Sequence, residues 1–82
     1  MNKKEIEKKV KQALAIRLNT NIKKIKLNSY LVEDLNMDSF GSVELAFELK
    51  DKFGIEISDE DLKKIKQVKD IVKYVSNKTN KR

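Results

Sequence analysis

The chain has no cysteine, no histidine, no proline and no tryptophan, and only two glycines in 82 residues. Without cysteine there are no disulfides and no thiolate ligands for zinc. Without histidine, the commonest general base and the commonest transition-metal ligand are both missing. The lack of proline, with glycine confined to Gly41 and Gly54, points to a helical chain rather than a β-rich one. A chain this short makes one domain that buries only about 60–65% of its unfolded surface, enough for a slim core but no deep catalytic cleft. No apolar run approaches a membrane span. The start, MNKKEIEKKVKQAL, lacks the apolar stretch of a secretory signal, and its glutamates argue against a transit peptide. The expectation is a soluble, cytoplasmic monomer with no membrane insertion.

Charge is abundant. The net value of +6 invites a nucleic-acid reading, but its distribution argues against one. Residues 1–27 hold nine Lys/Arg against two Glu, and residues 63–82 hold eight against Asp70 alone, so each end carries +7. Residues 28–62 hold two Lys against ten Asp/Glu, a net of −8. No basic patch is interleaved with aromatics for base stacking, and no nucleic-acid partner is expected.

Apolar spacing predicts four helices. Ile6, Val10, Ala13 and Leu14 recur at helical intervals over about Lys3 to Leu18, and Asn-Thr-Asn at 19–21 ends that helix. Residues 19–37 form a long connection pinned to the core by Ile22, Ile25, Leu27, Tyr30, Leu31 and Leu35, with room for a short helical turn. The second helix spans Ser39 to Phe53, with Asp38 as N-cap and Gly54 as left-handed C-cap. A short third helix follows Ser58, with Asp61 in a capping-box position. The last covers roughly Val68 to Ser76, with Val68, Ile71, Val72 and Val75 facing inward. The fold class is all-α: a small four-helix bundle, three helices longer and one short, with a long first connection. The domain is expected over 1–77, with 78–82 a polar, flexible tail.

The second helix has one apolar stripe more than a bundle needs. Leu45, Ala46, Leu49 and Phe53 share one side, while Phe40, Val43 and Phe47 cluster opposite among Glu44, Glu48 and Asp51. The long connection could cover Val43. Two aromatics beside three carboxylates otherwise read as a docking surface with an apolar anchor and a charged rim. That stripe begins where Ser39 begins.

Ser39 has no histidine to serve as its base, and no Ser-x-x-Lys follows, since the third residue on is Ser42. It could simply start a helix. It could also be modified, because a phosphate ester there would lie among free backbone N–H groups at the positive end of the helix dipole. Gly41 would leave room for a visiting enzyme, and Asp38 would repel the new charge.

The stretch LVEDLNMDSFGSVELAFELKDKFGIEISDEDLKKIKQVKDIVKYV resembles the acyl carrier protein family. The likeness lies in the acidic lead-in, the Asp-Ser-hydrophobic motif at 38–40, the helix carrying VEL, the FGIEI exit and the acidic third helix. With the first helix it covers nearly the whole chain. The resemblance implies that a carrier-protein synthase transfers 4′-phosphopantetheine from coenzyme A to Ser39, and that acyl groups ride as thioesters on the arm's thiol. Ser39 would be an anchor, with no catalytic residue and no metal. Asp38 and Phe40 would support the motif. Phe40, Glu44, Phe47, Glu48, Asp51, Asp59, Glu60 and Asp61 would dock basic patches on acyl-transferring and fatty-acid-synthesis enzymes. The family's helices can also part to admit an acyl chain.

The chain departs from the family pattern in places. Phe40 stands where leucine is usual, Gly41 where an acid is often found, Lys50 and Lys52 interrupt the acidic face, Gln67 opens the last helix, and the ends are basic. None of these touches the attachment chemistry. They leave open a specialised or D-alanyl carrier of another pathway. A rival reading is an unmodified helical module that binds an anionic partner through its basic ends. Asp59, Glu60 and Asp61 are better explained by capping and solvation than by a weak divalent ion.

Overall fold

The structure, a computed structural model, describes residues 2–79. Helix α1 runs Lys3–Leu18, a 3₁₀ turn covers Ile22–Lys24, and α2, α3 and α4 span Ser39–Phe53, Asp59–Lys64 and Val68–Thr79. The last helix is three residues longer than its apolar spacing indicates, because Ser76 to Thr79 continue the winding with Thr79 Oγ1 donating to the Val75 carbonyl at 2.9 Å. Lys78 and Thr79, read from sequence as the start of the tail, are therefore helical, while residues 80–82 of that tail lie outside the described residues.

Local chemistry sets most boundaries. Asn2 Oδ1 accepts the Glu5 N–H at 2.9 Å while Glu5 reaches back to the Asn2 N–H, a capping box at the start of α1. Asn19 ends α1 in the left-handed conformation with φ 52°. Gly54 closes α2 at φ 66°, where a Cβ would be disfavoured. Ser58 Oγ caps α3 by accepting the Asp61 N–H at 3.1 Å. The reciprocal half of a capping box is not made there, because the Asp61 carboxylate turns to α4 and accepts the Tyr74 hydroxyl at 2.8 Å. Gln67 is not a capping side chain. Asp70 replaces it from inside the first turn of α4, its Oδ2 accepting the N–H groups of Lys66 and Gln67 at 3.0 Å each.

The core is a single cluster. Ile6, Val10 and Leu14 of α1 meet Leu45 and Leu49 of α2 and Val68, Ile71, Val72 and Val75 of α4, so α1 packs against both other long helices. The connection supplies Ile25, Leu31 and Met37, and Ile55 closes the end between α2 and α3. Ile22, Leu27 and Tyr30, expected as pins, remain exposed. Their backbones, rather than their side chains, tie this segment down. Lys69 N–H donates to the Leu27 carbonyl at 2.8 Å, and Tyr30 pairs with Gln67 in an isolated antiparallel bridge. The connection is wound rather than loose. Asp34 Oδ2 accepts the Tyr30 N–H at 2.8 Å, and the Met37 N–H donates to the Leu31 carbonyl at 2.9 Å. This winding drives Met37 into the core and leaves Asp38 at the mouth of α2.

Candidate functional site

The site is built at the first turn of α2. Asp38 is extended and Oδ1 accepts the Gly41 N–H at 2.7 Å, which satisfies one of the helix's free donors. Ser39 follows as the first helical residue and is exposed. Its neighbour Gly41 is also small for an inward reason. A Cβ there would lie 3.2 Å from both Asp38 Oδ1 and Met37 Cγ, so glycine lets the cap and the core methionine close beneath the helix start.

Ser39 opens onto a groove of about 580 Å³ between α2 and α3. Leu31, Leu62 and Ile65 line it with apolar surface, Glu33 and Asp38 contribute acids, and Lys63 and Lys66 contribute cations. Neither lysine was singled out from sequence. The signal available was the change along α3 from Asp59-Glu60-Asp61 to Lys63-Lys64.

The second stripe of α2 is uncovered. Phe40 is 69%, Val43 47% and Phe47 68% exposed, whereas Leu45 and Leu49 are each 1% exposed in the core. The long connection does not shield Val43. The carboxylates around this stripe divide into two groups. Arg17 of α1 binds Glu48 at 2.9 Å and lies 3.6 Å from Glu44, and Lys52 also reaches Glu48 at 3.8 Å. Asp61 is engaged by Tyr74. Asp51, Asp59 and Glu60 make no ion pair among the described residues and stay exposed. The eight residues expected at a docking face thus include three whose carboxylates already serve the bundle.

The tie from Asp61 also acts on Tyr74. Partial burial, then the hydrogen bond to Asp61 and the negative charge of that carboxylate, raise the phenol above its ordinary 10.0. Among the described residues no group of three or more His, Cys, Asp or Glu could hold a metal ion, and no buried side-chain polar atom lacks a partner. No helix is long and apolar enough among them to cross a membrane.

Comparison with known proteins settles what kind of molecule has this architecture. The family described as Phosphopantetheine attachment site matches residues 8–75. The chain belongs to the acyl carrier protein family. It is 42% identical to the acyl carrier protein of Thermosynechococcus vestitus over 78 residues, covering 95% of this chain and 96% of that one. It is 46% identical to the acyl carrier protein of Helicobacter hepaticus over 66 residues, 80% of this chain and 87% of that one. A solved structure from Mycobacterium tuberculosis described as an acyl carrier protein superposes with TM-score 0.82 at 35% identity, covering 87% of this chain and 95% of that chain. Acyl carrier proteins are carriers rather than enzymes, and membership implies a covalently attached 4′-phosphopantetheine. The surface fits such a group, since exposed Ser39 opens onto a groove lined by both apolar side chains and two lysines.

Proposed function

We propose that Ser39 is the attachment point and that the protein shuttles acyl thioesters between cytoplasmic enzymes of fatty-acid or related lipid biosynthesis. The observation that carries this reading is the exposed Ser39 at the start of α2, one residue after a cap that fixes the helix mouth. In the loading step, Ser39 Oγ attacks the phosphorus of coenzyme A that bears the pantetheine. The new O–P bond replaces the bond to the adenosine bisphosphate, which leaves, and the serine proton passes to a base on the synthase. The arm then supplies a thiol on which acyl groups are held as thioesters.

This chain's own residues present and orient the hydroxyl. Asp38 holds the first turn, and α2 aims the helix dipole at the new phosphate. Phe40 and Phe47 are the apolar anchors for loading and acyl-transferring enzymes, with Asp51, Asp59 and Glu60 available to basic patches. Glu44, Glu48 and Asp61 join that face only by sharing or leaving their present partners. Exposed pairs contribute little affinity, so the acids serve encounter and register. Family membership favours a phosphopantetheine-bearing carrier over an unmodified module.

Apo-protein incubated with coenzyme A and a broad-specificity carrier synthase, then weighed intact, tests the proposal. The wild type gains one phosphopantetheine and Ser39→Ala gains none. A gain that survives Ser39→Ala contradicts it.

A further inference from the structure

We propose that Lys63 and Lys66 hold the phosphodiester at the root of the arm, so that the arm leaves Ser39 along the α2–α3 groove; this rests on the Ser39 reading above. A phosphodiester on Ser39 Oγ adds a negative charge to a groove already lined by Glu33 and Asp38. Both carboxylates repel it. The cations lining the same groove are Lys63 and Lys66.

Three further observations favour these two lysines as the counter-charges. Both are exposed, and neither lies within ion-pair distance of a carboxylate among the described residues. Of the carboxylates near them in sequence, Asp61 accepts the Tyr74 hydroxyl, Asp70 accepts the Lys66 and Gln67 backbone amides, and the exposed Asp59 and Glu60 pair with neither lysine. The Lys66 backbone is also held at the groove, since its carbonyl accepts the Leu31 N–H at 2.9 Å and its N–H donates to Asp70 Oδ2 at 3.0 Å. Unpaired ammonium groups next to a site that gains a phosphate anion form charge-assisted hydrogen bonds. Both ammonium groups are exposed, so added salt weakens such contacts.

One consequence concerns the partner face. An arm rooted toward α3 leaves the Phe40–Val43–Phe47 stripe clear for a docking enzyme. Holding and docking then use different sides of the same helix.

The test compares backbone amide and phosphorus NMR spectra of apo- and holo-protein, with loading checked by intact mass in every sample. Loading should shift the amides of 62–66, and added salt should reduce those shifts. The double variant Lys63→Gln/Lys66→Gln should lose them and move the phosphorus resonance, while Lys63→Arg/Lys66→Arg should keep them. Lys63→Gln alone gives the same comparison with a partial loss. Unchanged spectra in the Gln variants, or shifts confined to the Phe40–Phe47 stripe, overturn the proposal. Absence of the mass gain in wild-type protein would overturn the Ser39 reading itself, and the mass alone distinguishes the two failures.

Discussion

Arg17 Nη2 on α1 donates to Glu48 Oε1 on α2 at 2.9 Å, while its Nη1 stands 3.6 Å from Glu44. One cation thus clamps two carboxylates of α2 to the neighbouring rod. All three side chains are about one-third exposed, so the clamp is neither buried nor freely solvated. Arg17→Gln should lower unfolding stability by about 0.5–1 kcal/mol, the upper range for pairs of this kind. A urea double-mutant cycle with Glu48→Gln should give a coupling energy of that order. Strict additivity would show that the contact is energetically silent.

The Tyr74–Asp61 bond joins α4 to a third helix only six residues long. Tyr74→Phe should cost about 0.5–1.5 kcal/mol and loosen α3 in hydrogen exchange. The pH dependence has a definite sign. The folded-state pKa of Tyr74 lies above the unfolded value near 10.0, so the native state keeps this proton longer. Its contribution is complete below pH 10.0 and is lost as pH rises from there through the folded value. The stability of the wild type should therefore fall more steeply above pH 10.0 than that of Tyr74→Phe. Parallel curves would contradict the assignment.

The long helices were legible because their apolar spacing and end signals are local. Asp38 and Gly54 mark the two ends of α2 in the sequence and do so in the structure. The uncovered stripe was also legible, because Phe40 and Phe47 cannot share a face with Leu45 and Leu49. Long-range choices were not. Nothing near Glu48 in sequence identifies Arg17 as its partner, and nothing near Asp61 identifies Tyr74. In the connection, spacing does not separate inward from outward apolar residues, and exposed Ile22 looks no different in sequence from buried Ile25. Met37 carried a usable signal, since an apolar residue just before an N-cap commonly turns inward.

Asp38 combines a cap with a charge, and the two can be separated. Asp38→Ala should destabilise the fold by about 1 kcal/mol through loss of the Gly41 N–H acceptor. Asp38→Asn keeps an acceptor and should stay within a few tenths of the wild type. Thermal or urea unfolding reads both. Equal losses in the two variants would show that charge, not capping, dominates.

Gly54 offers a clean backbone test. Its φ is 66° and nothing lies within 4 Å of an added Cβ, so Gly54→Ala meets no side-chain clash. The expected loss is roughly 1 kcal/mol from the left-handed conformation alone. Gly54→Asn should recover part of it. No loss in Gly54→Ala would mean that the turn relaxes out of this conformation.

The most direct measurement is peptide mapping of the protein isolated from its native host. Trypsin releases residues 27–50 as one peptide containing Ser29, Ser39 and Ser42. Fragmentation should place a phosphopantetheine, bare or acylated, on Ser39 alone. A peptide with Ser39 free, or with the arm on Ser29 or Ser42, would contradict the account.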